Sequence, residues 1–223
     1  IRHLILTAAA LTLGANLFAA YPNFTGTKPN GGQRGTDVKL TLTGERLADF
    51  ESLIFFSPGF TQKSVDKVDA RQVDVTVAIA PNVAPGNHLV RVRTKSGISH
   101  ARQFFVGIFP NVEEKEPNSD FDAPQVIQMN QTIEGVVQNE DVDYYSIPLK
   151  KGQRISLEVD GLRLGYTVFD PFLAIIDKDR FEKVLSDDTI LHRQDGYCSY
   201  VAEEDGNYTL MIRESSYRGG GTS

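Results

Sequence analysis

Hydrophobic and polar residues alternate along most of the chain after residue 20. In residues 38–43 valine and leucine alternate with lysine and threonine, and residues 73–79 repeat the alternation before Pro81. A period of two turns one side of a strand towards a core and the other towards water. The pattern predicts antiparallel β-strands, and we find no convincing amphipathic helix.

Further short apolar runs are bounded by turn residues and predict additional strands. They cover residues 53–56, 89–92, 104–106, 133–137, 144–149, 155–159, 172–176, 197–201 and 208–212. Lys151-Gly152 and Asp205-Gly206 are typical of hairpin turns, because glycine accepts a positive φ. Short strands at this spacing predict an all-β fold of two consecutive β-sandwich domains, at residues 21–110 and 123–223.

Residues 111–122, NVEEKEPNSDFD, interrupt this pattern. The segment is polar and acidic, contains a proline and shows no periodicity. It predicts an acidic linker between the two domains.

The first 20 residues have the organisation of a secretory signal peptide. Arg2 and His3 precede a run without charged residues at 4–17, and Ala19-Ala20 supply small residues at its end. A buried first helix of a cytosolic domain is the alternative. The run is shorter and milder than the ~20 apolar residues of a membrane-spanning helix. We expect an exported protein without a membrane span, located in the periplasm, at the cell surface or outside the cell.

Charge divides the chain at the same boundary. The 223 residues carry a net charge of −6, but residues 21–110 contain 11 basic and 7 acidic side chains, whereas residues 111–223 contain 11 basic and 22 acidic ones. This balance argues against a nucleic-acid binder, whose affinity comes largely from neutralising phosphates. Cys198 is the single cysteine. It excludes an intrachain disulfide and is expected to be a small core residue.

No motif of a catalytic site is present. The chain lacks a nucleophile elbow, a zinc-protease helix and a phosphate-binding loop. His192 lies close in sequence to Asp187, Asp188 and Asp195, an arrangement that either orients a histidine or simply forms a polar turn. Without a nucleophile the sequence favours a non-catalytic role.

The first domain resembles the IPT/TIG family of immunoglobulin-like domains. The resemblance rests on Lys28-Pro29-Asn30-Gly31-Gly32, on Gly35-Thr36 leading into a strand that ends in Thr43-Gly44, and on Ala84-Pro85-Gly86 before a V-x-V strand. It implies an Ig-like β-sandwich.

The second domain resembles the bacterial pre-peptidase C-terminal domain. The motifs are Glu116-Pro117-Asn118, the run Asp141-Val142-Asp143-Tyr144-Tyr145, Lys151-Gly152-Gln153, Asp170-Pro171 and Asp205-Gly206-Asn207-Tyr208. The resemblance implies a non-catalytic, jelly-roll-like sandwich attached to secreted enzymes or surface proteins. Family domains close with another strand, so we expect the domain to be truncated at its last strand and tethered to further domains.

Two acidic groups predict a calcium site where the second domain begins. Glu114, Glu116 and Asn118 recur at every second position, so an extended segment points all three to one side, and Asp120 continues the series. Glu140, Asp141 and Asp143 precede the next predicted strand. Oxygen atoms of this kind are the ligands that Ca²⁺ takes. A solvated acidic linker is the alternative.

The resemblance also carries a ligand set, because related modules of clostridial collagenases bind calcium. It implies Glu114, Glu116, Asn118 and Asp143 as ligands, with Glu140 next. Ser119 stands where those modules have an acid, so one charged ligand is lost. The ion is expected to be structural.

Two hypotheses for function follow. The first is a non-catalytic exported module that binds or spaces, with an extracellular protein or polysaccharide as its partner. The alternative is an accessory region of a secreted peptidase or other hydrolase whose catalytic domain lies beyond residue 223. The aromatic residues Tyr166, Phe169, Tyr197, Tyr200 and Tyr217 either fill the cores or provide rings on which sugars stack.

Overall fold

A computed structural model describes residues 21–166, 168–190, 192 and 194–216. The predicted signal peptide at 1–20 and Tyr217 lie outside the described residues. Within them the chain folds into β-strands and a single 3₁₀ helix, so the predicted all-β fold class is confirmed. No helix in the described ranges has the length and apolar character needed to cross a membrane.

The first sandwich has two facing sheets. One has the strand order β1-β3-β6-β5, and the other has the order β2-β9-β7-β4 with β8 paired to β7. The strands are β1 (Asn23–Lys28), β2 (Gly31–Gln33), β3 (Asp37–Glu45), β4 (Phe50–Phe55), β5 (Phe60–Val68), β6 (Gln72–Ile79), β7 (Gly86–Thr94), β8 (Gly97–Ile98) and β9 (Arg102–Gly107).

The two sheets of the second sandwich differ in size. A five-stranded sheet in the order β11-β13-β18-β15-β16 faces the two-stranded sheet β14-β17. The strands are β11 (Gln125–Val126), β13 (Val142–Leu149), β14 (Arg154–Glu158), β15 (Pro171–Ile176), β16 (Glu182–Ser186), β17 (Tyr197–Val201) and β18 (Gly206–Glu214), and a 3₁₀ helix, η1, covers Leu162–Leu164.

The segment expected to be a linker begins as a strand. β10 (Asn111–Glu113) pairs in parallel with β12 (Thr132–Glu134) at the start of the second domain. β12 is shorter than the strand predicted at 133–137. Its pairing with β10 ends at Glu134, opposite Glu113, and two residues later the N–H of Val136 donates to the carboxylate of Glu114 at 2.7 Å.

Alternation along the strands builds the two cores. In β6 every second residue is buried, and these residues share one core with Leu40 and Leu42 of the neighbouring strand β3 and with Val90 and Phe104 of the other sheet. The second core forms around Tyr145, Ile147, Leu173, Ile175 and Leu210. Cys198 is buried in that core, and burial raises the pKa of its thiol to about 11. Its expected role as a small core residue is confirmed.

The two sandwiches contact each other beside the linker. The backbone N–H of Asn30 donates to Glu134 Oε1 at 2.5 Å, and the hydroxyl of Tyr166 donates to the carbonyl oxygen of Gln103. A Cβ atom at Gly26 would lie 2.9 Å from the Tyr166 ring, so this ring packs closely against β1. These contacts hold the second domain against the edge of the first.

Candidate functional site

Acidic side chains from two segments meet at the entrance to β13. Carboxylate oxygens of Glu116, Asp141 and Asp143 all lie within 4.8 Å of one another. Glu116 belongs to the segment that follows β10, whereas Asp141 immediately precedes β13 and Asp143 is its second residue. The fold therefore brings the linker acids and the strand-entry acids together.

A network of hydrogen bonds holds the linker in place. Glu114 Oε1 accepts hydrogen bonds from the hydroxyl of Tyr145 and from Asn118 Nδ2, the latter at 3.1 Å. The backbone N–H of Asn118 donates to Glu116 Oε2 at 3.0 Å, and its carbonyl oxygen accepts from the N–H of Tyr144 at 3.0 Å. These contacts fix the side chains of Glu114, Glu116 and Asn118 beside β13.

Two buried oxygens in this network have no hydrogen-bond partner. Asn118 and Asp143 are each only 1% exposed, and Oδ1 of each side chain is unpaired among the described residues. A buried polar atom left without a partner costs about 1–3 kcal/mol. Both atoms are carbonyl or carboxylate oxygens, which are the ligand types that calcium prefers.

Electrostatic repulsion among these carboxylates also favours a bound cation or proton. Burial, together with the nearby carboxylates of Glu114, Asp141 and Glu116, raises the pKa of Asp143 to about 8. Burial and the hydrogen bond to Glu114 raise the pKa of the Tyr145 hydroxyl well above its ordinary value. Either a proton or a cation relieves the repulsion among such carboxylates.

The structure brings four of the five predicted ligands together and leaves the fifth apart. Glu114, Glu116, Asn118 and Asp143 all belong to the network, whereas Glu140 is exposed at a φ of +57° and lies outside the group of three close carboxylates. Its place is taken by Asp141. The period of two contains this signal, because residues 141 and 143 point to one side of an extended chain and residue 140 to the other.

Ser119, where related modules carry an acid, supports Asp141 instead. Its hydroxyl donates to Asp141 Oδ1 at 2.8 Å, and the backbone N–H of Val142 donates to the same oxygen at 3.0 Å. The second oxygen, Oδ2, accepts from the N–H of Gln138 at 3.3 Å. These bonds orient the Asp141 carboxylate.

The residues around His192 form a cluster of hydrogen bonds and ion pairs centred on Asp195. Asp195 is completely buried and accepts hydrogen bonds from the backbone N–H groups of Gly161, Leu162 and Arg163, and Arg163 Nε lies 2.6 Å from Asp195 Oδ2. His192 Nδ1 lies 3.6 Å from a carboxylate oxygen of Glu158. Asp195 therefore holds the start of η1, and this geometry gives it no orienting role towards His192.

Three of the candidate sugar-stacking aromatics are occupied by packing. Tyr166 packs on the first domain, Phe169 covers Gly161, and the ring of Tyr200 lies 5.8 Å from that of Tyr208. Tyr197 differs, because it is 41% exposed on β17.

Comparison with protein families gives a match to one part of the chain. Residues 141–214, about a third of the chain, match the model of the bacterial pre-peptidase C-terminal domain. The match does not extend to the first sandwich, whose resemblance to the IPT/TIG family stays a prediction. No curated protein matches the sequence.

Solved structures resemble the chain only distantly. SGBP-B of a Bacteroides ovatus mixed-linkage glucan utilization locus, solved in complex with a mixed-linkage heptasaccharide, has 10% identity and a TM-score of 0.30 over 83% of this chain and 50% of its own. SGBP-B from a Bacteroides uniformis xyloglucan utilization locus has 12% identity and a TM-score of 0.31, covering 90% and 69%.

A third similar structure is the Yersinia pseudotuberculosis adhesin InvE, with 11% identity and a TM-score of 0.29 over 89% of this chain and 52% of its own. The chain spans about half the length of the first of these three structures. Likeness at this level transfers neither ligand nor partner, because unrelated functions share β-sandwich folds.

Proposed function

We propose that the chain is a non-catalytic binding and spacing module of an exported protein. The observation that carries this proposal is the match of the second sandwich to the pre-peptidase C-terminal domain, together with the contacts that hold it against the first sandwich. Paired domains with fixed contacts keep a constant distance between whatever each of them binds.

Two measurements test this role. Retention of the full chain on an array of polysaccharides, collagen and cell-wall material supports binding, and silence across the array overturns binding and leaves spacing alone. Small-angle X-ray scattering tests the spacing. We expect a curve that one arrangement of the two sandwiches explains. A curve that requires widely different interdomain distances contradicts the spacing role.

We also propose that the second sandwich binds a structural calcium ion at the entrance to β13. Glu116, Asp141 and Asp143 supply carboxylates, and Asn118 supplies its unpaired Oδ1. Glu114 belongs to the same network and accepts a hydrogen bond from Asn118 Nδ2. Calcium takes six to eight oxygen ligands, so this oxygen-rich group fits its chemistry. An ion here satisfies the two orphaned oxygens and offsets the carboxylate repulsion.

Thermal unfolding with added calcium tests the site. An ion that binds only the folded state stabilises it by about 2.7 kcal/mol at a hundredfold excess over Kd. For a chain of this size we expect Tm to rise by about 5–10 °C. Asp143→Asn should abolish the rise, whereas Glu140→Gln, the matched control outside the close group, should keep it. An unchanged wild-type Tm, or an equal rise in Asp143→Asn, contradicts the site.

A further inference from the structure

The open face of the β14–β17 sheet carries an array of connected polar side chains. Arg154, Ser156 and Glu158 alternate along β14 and are exposed, and they oppose Val201, Ser199 and Tyr197 on β17. With side chains on alternate sides of a strand, all six lie on one face, and the apolar Ile155 faces the core. The face extends for about 13 Å along β14 at ~3.3 Å per residue.

Tyr197 lies across this face. Its hydroxyl donates to Ser156 Oγ at 3.2 Å. Ser156 opposes Ser199, so it is the diagonal neighbour of Tyr197 and not the residue directly opposite. An aromatic side chain reaches a diagonal neighbour only by leaning along the sheet. The side chain therefore lies along the sheet, and 41% of the residue stays exposed to solvent.

Hydroxyl groups continue the array beside the ring. Ser156 Oγ lies 3.1 Å from Ser199 Oγ, and Arg154 Nη1 donates to Ser199 Oγ at 3.2 Å. On the other side the ring of His192 meets Tyr197 edge-on, with centroids 6.0 Å apart. These contacts fix the ring and the hydroxyls before any ligand arrives, which lowers the entropy lost on binding.

Charge differs between the two ends of the array. Glu158 is paired with Arg163 at 2.9 Å, whereas Arg154 has no ion-pair partner in the described part of the chain. Arg154 thus keeps N–H donors available to a ligand. Residues 111–223 carry 22 acidic against 11 basic side chains, and this field repels a polyanion.

We propose that this face binds a neutral polysaccharide, with a sugar ring stacked on Tyr197. The inference rests on the proposed binding role and names the class of its partner. A sugar ring has an apolar C–H face that suits an exposed aromatic side chain and a rim of hydroxyls that suits Ser156, Ser199 and Arg154. A protein partner fits less well, because interface cores are apolar and depleted of charge.

Affinity electrophoresis of the full chain tests the proposal. Native gels contain barley β-glucan or galactomannan as neutral polymers, or polygalacturonate as an anionic one. We expect at least one neutral polymer to retard the chain and polygalacturonate to leave it unaffected. Tyr197→Ala should weaken binding about tenfold. Phe181→Ala, which removes another exposed aromatic residue of the same domain outside this face, should leave retardation unchanged.

Thermal unfolding of each variant confirms that it is folded before binding is compared. Full retardation of a folded Tyr197→Ala, or stronger retardation by polygalacturonate, overturns the proposal. So does the absence of retardation by both neutral polymers. If the chain instead binds collagen on the array, this inference fails while the proposed binding role stands.

Discussion

The two sandwiches differ in what they bury. The core of the first is apolar, and the polar side chains buried with it are Thr27, His88, Thr94 and Ser99, with no carboxylate among them in the described residues. The second sandwich buries the carboxylates of Asp143, Asp195 and Glu214. A buried carboxylate is stable only when paired, hydrogen-bonded or bound to a metal.

This difference implies two modes of stabilisation. The first sandwich has sheets of four and five strands whose inner faces cover each other, so apolar burial dominates. In the second, a five-stranded sheet faces only two strands, and the segment that follows β11 and the short strand β12 complete the core through Ile127, Met129 and Ile133. Polar contacts hold these segments, so we expect its stability to depend on charge and on the proposed calcium ion.

Removing Asp195 should have the largest effect on the second sandwich. Asp195→Ala leaves Arg163 without its buried partner and three backbone N–H groups, of Gly161 and of the first two residues of η1, without an acceptor. We expect a loss of about 3–5 kcal/mol in the free energy of unfolding, measured with urea. Asp205→Ala is the matched control, since its ion pair with Lys150 is exposed and contributes at most about 1 kcal/mol. Equal effects of the two substitutions contradict the role of Asp195.

A cavity in the core of the first sandwich should lower the free energy of unfolding by nearly as much, and calcium should not change this loss. Leu40→Ala removes a fully buried side chain between β3 and the facing sheet, at a cost of about 2–5 kcal/mol. Urea titrations with calcium and with a chelator should give the same cost, because the proposed ion lies in the other sandwich. A cost that changes with calcium argues against separate modes of stabilisation.

The contact between the sandwiches should depend on pH. Burial raises the pKa of Glu134 to about 7 from an ordinary value of 4.5, so the folded chain holds this proton more tightly than the unfolded chain. Its contribution to stability is therefore complete below about pH 4.5 and is lost as the pH rises through about 7. Because Glu134 is partly exposed, we expect about 1–2 kcal/mol.

The difference in stability between wild type and Glu134→Gln isolates this effect. The free energy of unfolding of the variant should fall less than that of wild type as the pH rises from 4.5 to 7. Parallel pH profiles of the two proteins contradict the assignment.

The smallest expected effect is a substitution that stabilises the protein in the absence of calcium. Burial and the neighbouring carboxylates raise the pKa of Asp143 to about 8, so without calcium the folded chain must take up a proton here at neutral pH. Asp143→Asn removes this cost and should stabilise the chelated protein by about 1 kcal/mol. With saturating calcium the wild type should become the more stable protein. Unfolding of both proteins with a chelator and with calcium measures this crossover, and a variant less stable than wild type in both conditions contradicts it.

Alternation alone predicts the strands whose two sides differ clearly. β3 and β6 were expected from their periodicity and are confirmed. β5 and β16 were missed because both are edge strands with mainly polar or charged sequences and exposed positions. An edge strand is stabilised by its neighbour, and that information is absent from its own pattern.

Local spacing likewise predicts only part of the candidate site. The spacing of Glu114, Glu116 and Asn118 shows that these residues share a side, and the structure brings them together. The burial of Asp143 and the pairing of β10 with β12 arise from contacts distant in sequence. No local pattern encodes them. The period of two places Asp141 on the same side as Asp143 and Glu140 on the other side, whereas the family resemblance implies Glu140 as a ligand.

Hydrogen exchange followed by mass spectrometry, with and without calcium, tests most directly whether the second sandwich depends on an ion. Calcium should slow exchange in peptides covering residues 114–119 and 136–145, where the linker meets β13. Exchange in β3 and β6 of the first sandwich should not change. Equal exchange with and without calcium at the entrance to β13, or slowing spread uniformly over both sandwiches, would contradict the account.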